Sequence, residues 1–168
     1  MIDLKKWKLK STLKEILIAT VLLFILTNII SYIRKPELGS MQLPKIEAKL
    51  LDGSTFELEE GKPLVLHYWA VWCPTCELEA PNIERVSKDY QVLTIAVNSG
   101  SDEKVKAYMQ ENALSFKVVN DVDGRWEKQF KVEAYPTTFI YDGKGELRFT
   151  EVGYTTTAGL LARLEWVE

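Results

Sequence analysis

The sequence predicts an α/β sandwich around a central mixed sheet, with an N-terminal hairpin extension and one transmembrane helix ahead of it. Three observations carry that reading. Strand and helix periodicities alternate from residue 64 to the end of the chain. Two stretches, "LVLHYWA" (Leu64–Ala70) and "VLTIAV" (Val92–Val97), are continuous apolar strands of the kind buried on both faces of a sheet. Ahead of them, "ILIATVLLFILTNIISYI" runs 18 residues, Ile16 to Ile33, without a charge.

At about 1.5 Å per residue that run nearly spans a ~30 Å hydrocarbon core. Lys5, Lys6, Lys8, Lys10 and Lys14 precede it, and Arg34 and Lys35 follow it. The larger positive cluster stays in the cytoplasm, which sends the C-terminal bulk outside. A cleaved signal peptide would have a shorter apolar region and a small-x-small cleavage site, and "SYIRKPELGS" offers none. The expected organisation is a cytoplasmic basic segment over 1–15, a signal anchor over 16–33, a linker over 34–44, and an extracytoplasmic (periplasmic) domain over 45–168.

Within that domain, "IEAKLLDGSTFELEEGKP" reads as two short strands around Asp52-Gly53-Ser54. After the first apolar strand the spacing turns helical from Cys73 to about Tyr90. Leu78, Ile83 and Val86 are expected toward the core, and Glu77, Glu79, Glu84, Arg85 and Lys88 toward solvent, with a kink at Pro81. Asp102 is placed to cap the helix "EKVKAYMQEN", and a short strand follows around Phe116–Val119. "DGRWEKQFKV" reads as a short helix, "TTFIYDGKGELRFTEVG" as a hairpin, and "TTAGLLARLEW" as a closing amphipathic helix.

The charge balance narrows the function. Residues 1–44 carry seven Lys/Arg against three Asp/Glu, a net +4; residues 45–168 carry 14 against 21, a net −7. A domain of that sign is a poor partner for a phosphate backbone, so nucleic acid is excluded.

The chemistry concentrates in "HYWAVWCPTCELEAP", which holds the only histidine, His67, and both cysteines, Cys73 and Cys76. A cysteine opening a helix faces unpaired N–H groups and the positive end of the helix dipole, which favour its thiolate. Pro74 suits a first helical turn, where its missing N–H costs nothing. The i, i+3 spacing puts Cys76 on the same face, within disulfide reach. One cysteine can then attack a substrate and the other resolve the mixed disulfide. Outside the cytoplasm such a pair can be oxidised and stay so.

Other readings of the pair are weaker. A purely structural disulfide across a two-residue gap closes almost no loop. A zinc site lacks soft ligands beyond His67. A copper-handling thiolate pair remains open. A peroxidase would need a peroxidatic cysteine in its own pocket, and no cysteine exists outside the pair.

"YWAVWCPTC", Pro81, "AYPTTFIYDGKGEL" and "VGY" before the last helix resemble the thioredoxin fold. The anchor, the hairpin and the extra helix and strand after Val97 are similar to its TlpA-like branch. "WCPTC" resembles the DsbE (CcmG) reductases of cytochrome c maturation. "VEAYPTTF" departs from them, since they tend to carry a Gly-rich stretch before the proline and Glu after it, and the tail "GYTTTAGLLARLEW" resembles the ScsD-like group of copper-sensitivity suppressors. The resemblance implies Cys73 as exposed nucleophile, Cys76 as buried resolver, and a cis Tyr135–Pro136 bond. That bond would present the backbone of Tyr135 to an extended substrate segment. Trp72 reads either as part of the docking surface or as ordinary packing, and Trp69 as core. His67 stands where thioredoxin buries an aspartate behind the resolving cysteine. It reads either as a proton relay titrating near neutral pH or as a neutral core histidine.

The function expected is a membrane-anchored thiol–disulfide oxidoreductase that needs no cofactor and acts mainly as a reductant of protein disulfides. A membrane electron donor with its own thiol pair would recharge it. Pro74-Thr75 supplies no cation to hold the thiolate, and Glu77 and Glu79 oppose charge on sulfur. The alternatives are a cytochrome c maturation reductase and a copper-handling dithiol protein.

Overall fold

In the computed structural model the backbone is described for residues 4–33, 35–36 and 38–168, and side chains from residue 14 onward except 27, 31, 32, 34 and 37. The chain divides into two compact units, 1–34 and 35–168. The first is the helix α1 (Leu4–Ile33). Its described apolar side chains, Leu22, Leu23 and Phe24 among them, are exposed. Among the described residues no helix is long and apolar enough to cross a membrane. The side chains at positions 27, 31 and 32 of the span expected over 16–33 lie outside those described, as do residues 1–3 of the basic segment expected over 1–15.

The second unit is an α/β sandwich. Its order is β1 (Leu64–Trp69), α2 (Pro74–Val86), β2 (Gln91–Val97), α3 (Asp102–Glu111), β3 (Lys117–Asp121), α4 (Arg125–Gln129), β4 (Thr137–Tyr141), β5 (Leu147–Val152) and α5 (Thr157–Val167). The five strands lie in the order β3-β2-β1-β4-β5. β1, β2 and β3 are parallel, and β4 and β5 are antiparallel to their neighbours, so the sheet is mixed as expected. All six residues of β1 are buried, as befits the central strand. Its alternation sends Leu64, Leu66 and Tyr68 to one face, with Phe130 and Phe139. It sends Val65 and Trp69 to the other, with Ile83, Val86, Leu160, Leu164 and both cysteines. Each fully buried Leu or Ile contributes about 1.5–3 kcal/mol.

Three local expectations change. The N-terminal hairpin contracts to one antiparallel bridge, Lys49 with Thr55. Its turn is nevertheless built as read: Asp52 accepts the Ser54 N–H at 2.9 Å, and Gly53 takes φ +88°. Ser101, not Asp102, caps α3, because its side chain accepts the Lys104 N–H and Asp102 is already helical. Part of the expected linker is structured. Leu43 N–H donates to the Gly145 carbonyl and Leu147 N–H to the Met41 carbonyl, each at 2.7 Å, so 41–43 pairs against the β4–β5 turn.

Candidate active site

The site forms where β1 ends and α2 begins. Cys73 is the N-cap of α2, in extended conformation, and Pro74 occupies the first turn. Cys73 and Cys76 are joined as a disulfide, with Cα atoms 5.2 Å apart. The Cys76 N–H donates to Cys73 Sγ at 3.2 Å. Cys73 is 7% exposed and Cys76 2%, so both are covered in this state and Cys73 is the more open.

Trp72 is 56% exposed, with its indole N–H on the Asn98 carbonyl at 3.1 Å. Its ring meets Tyr135 edge-on, centroids 5.7 Å apart. Tyr135 donates its hydroxyl to Glu127, and the Tyr135–Pro136 bond is cis. Burial, and after it the bond to Glu127, hold the Tyr135 phenol above its ordinary value. The Pro136 carbonyl accepts the Gly153 N–H at 2.8 Å. Trp69 is core, as expected, with its indole on Thr94 Oγ1 at 3.1 Å.

His67 is fully enclosed on the cysteine-bearing face of the sheet. Its Nδ1 lies 2.9 Å from Oγ1 of Thr138, its register partner on β4. Burial pushes its pKa down to about 3. Of the two readings, the relay titrating near neutral pH is therefore corrected and the neutral core histidine stands, since the ring stays neutral across that range.

The second correction is Glu79. It was expected on a solvated face and is 0% exposed, while Leu78, expected in the core, is 72% exposed. The buried positions of α2 are Cys76, Glu79, Ala80, Ile83 and Val86, a stripe at helical spacing. Counting +3, +4 and +3 from Cys76 reaches Glu79, Ile83 and Val86. That register was available in the sequence and rules out Leu78, which lies five residues before Ile83. Glu79 Oε1 accepts the Thr155 N–H at 3.1 Å. Its Oε2 is buried with no partner among the described residues. Burial raises its pKa to about 8, against a smaller lowering by the Thr155 N–H. Glu84, also expected outward, is partly buried and accepts the Ser115 and Phe116 N–H groups.

A mixed sheet carrying a disulfide at the head of the following helix, beside a cis-proline loop, defines a thioredoxin-like thiol–disulfide oxidoreductase. Comparison with known proteins places it further: residues 40–150 match the AhpC/TSA family, and the chain belongs to that family. It is 32% identical over 165 residues to a "Thioredoxin-like protein" of Haemophilus influenzae, covering 96% of this chain and 98% of the relative. It is 30% identical over 166 residues to the thiol-disulfide oxidoreductase ResA of Oceanobacillus iheyensis, covering 93% and 84%. Among solved structures, the exposed lipoprotein thioredoxin of Streptococcus pneumoniae superimposes with a TM-score of 0.64 at 26% identity, over 73% of this chain and 99% of that one.

Proposed function

We propose that the pair reduces disulfides in proteins outside the cytoplasm, with Cys73 attacking and Cys76 resolving. The observation that carries this is Cys73 at the N-cap of α2, its sulfur accepting the Cys76 N–H. The same donor and the helix dipole stabilise the Cys73 thiolate once the pair is reduced. The thiolate attacks one sulfur of a substrate disulfide, and the other sulfur leaves as a thiolate. Cys76 then loses its proton and attacks Cys73 Sγ. The second substrate thiolate leaves, the Cys73–Cys76 bond re-forms, and two electrons have passed to the substrate.

Glu79, which lies one turn along the same buried face, takes the proton of Cys76 when its carboxyl is ionised, a minority form below pH 8 that grows as pH rises toward it. A carboxyl with a pKa of about 8 is close to an ordinary thiol, near 8.5, so the transfer is nearly level. Recharging by an external dithiol runs the same path backwards: Glu79 returns its proton to Cys76 as that sulfur leaves. Trp72 and Tyr135 flank the pair as the docking surface, and the Tyr135 backbone pairs with an extended substrate segment.

The uncharged run 16–33 and the lysines before it support anchoring in the cytoplasmic membrane with the catalytic domain outside. The pneumococcal relative, an exposed lipoprotein by its description, fits that placement. Pro74-Thr75 lacks a cation, which supports the reductant direction. Glu79 is protonated below about pH 8, so it does not oppose the thiolate there. Membrane recharging by a dithiol donor completes the cycle.

Expressing Cys76→Ala in the native host tests the proposal: mixed disulfides should accumulate on Cys73, and none would overturn it. An alkaline phosphatase fusion at residue 168 should be active, and an inactive one would overturn the topology. Equilibration with glutathione buffers tests direction: a potential near about −120 mV would mark an oxidant instead.

A further inference from the structure

We propose that Asn82 is a positioning residue that sets the proton affinity of Glu79 by clamping the β5–α5 loop against α2. This rests on the reading of Glu79 as the proton partner of Cys76. Asn82 follows Glu79 by three residues on α2, so both side chains reach the same side of the helix. Between them they hold both backbone polar groups of Thr155. Its N–H donates to Glu79 Oε1 at 3.1 Å, and its carbonyl accepts Asn82 Nδ2 at 3.0 Å. The Asn82 amide is itself fixed: Nδ2 also donates to Tyr154 Oη at 3.1 Å, and Oδ1 accepts the Thr157 hydroxyl at 2.8 Å.

The Thr155 N–H is the one donor the Glu79 carboxyl has, since its other oxygen is buried without a partner among the described residues. An N–H donated to a carboxylate favours the ionised form, so the position of that donor tunes acidity. The same loop reaches the substrate platform, because Gly153 donates to the Pro136 carbonyl.

Among the described residues no charged side chain competes for this role. On β1 the titratable group is His67, held neutral by burial. On α2 the cysteine pair is oxidised and does not titrate. In the loop the titratable group is Tyr154, already bonded to Asn82. On α5 it is Arg163, whose Nε pairs with Glu151 of β5 at 3.0 Å and whose Nη1 bonds the Gly159 carbonyl at 2.7 Å. Burial and the Thr155 N–H alone act on Glu79.

The test is an NMR titration of the Glu79 carboxyl carbon in the oxidised full chain held in detergent micelles. Glutamate is isotope-labelled, and the resonance is assigned by its loss in Glu79→Gln. The wild-type midpoint should lie near 8. In Asn82→Ala it should rise by roughly half a pH unit or more, a threefold or greater gain in proton affinity. Tyr154→Phe, at an exposed position, removes one of Asn82's partners and should shift the midpoint the same way by less.

The pH profile of thiol–disulfide exchange should move with the resonance. An unmoved midpoint in Asn82→Ala, even with a lowered thermal midpoint, would show a merely structural asparagine and overturn the proposal. If Asn82→Ala fails to fold, an unmoved midpoint in Tyr154→Phe overturns it. A wild-type midpoint in the ordinary carboxylate range would instead sink the reading of Glu79 itself, which separates the two failures.

Discussion

On the cysteine-bearing face, β1 and α2 each bury one titratable side chain among the described residues, and the two are held differently. On β1, His67 has Thr138 as partner for Nδ1 and loses its charge to burial. On α2, Glu79 has one backbone donor and one orphan oxygen, and burial leaves it holding a proton up to about pH 8. The same desolvation removes His67 from proton chemistry near neutral pH and brings Glu79 into it. A buried base is silenced by losing its proton, whereas a buried acid becomes a proton store. The direction of the charged form therefore decides which side of the disulfide is reactive.

The contrast breaks most visibly in rate. Glu79→Gln keeps the acceptor for Thr155 but cannot exchange a proton. Insulin reduction at neutral pH should fall on the order of 100-fold, within the range of a positioned acid or base. His67→Phe should change the rate by less than about threefold. A larger loss from His67→Phe than from Glu79→Gln would reverse the assignment.

Stability against pH sharpens it next. Glu79 has its folded pKa raised from 4.5 to about 8, so the folded protein binds more protons in that interval. Its contribution is complete below 4.5 and is lost as pH rises through 8, by on the order of a few kcal/mol. His67 has its pKa lowered from 6.5 to about 3, so its contribution is complete above 6.5 and is lost as pH falls toward 3. Urea unfolding midpoints should show alkaline loss in wild type that is absent in Glu79→Gln, and an acid-side loss reduced in His67→Phe. At neutral pH, His67→Phe should itself cost about 1–3 kcal/mol, because it strands the Thr138 hydroxyl. An alkaline loss that persists in Glu79→Gln would assign it to another group.

Much of this site was readable before any coordinates, because the first turn of α2 is governed by local rules. A cysteine at an N-cap, a proline in the first turn and a partner three residues on need only helix geometry. β1 and β2 were legible for a similar reason, as continuous apolar runs. The second turn was misread because its environment comes from far along the chain. Glu79 is buried by a loop 76 residues away, and nothing near Glu79 in sequence announces Thr155 or Asn82's contacts. His67 posed the same difficulty: its location was clear, but its protonation depends on enclosure and on Thr138, 71 residues on. The hairpin at Asp52 shows the converse, since a correct turn did not guarantee strands long enough to flank it.

The smallest expected effect tests the helix face itself. At about 100° per residue, the core stripe of Cys76, Glu79, Ala80, Ile83 and Val86 spans roughly 120° of the helix, and Leu78 lies roughly 140° from its middle. Leu78 is exposed, and an exposed leucine in helical conformation contributes little beyond its propensity, which lysine nearly matches. Leu78→Lys should change unfolding free energy by less than about 0.5 kcal/mol in urea titrations, with no change in the dependence on denaturant. A loss above about 2 kcal/mol would be the signature of a core leucine. It would rotate α2 toward the reading in which Leu78 faces inward, carry Glu79 toward solvent, and return its pKa to the ordinary carboxylate range. The contrast between strand side and helix side would then disappear with it.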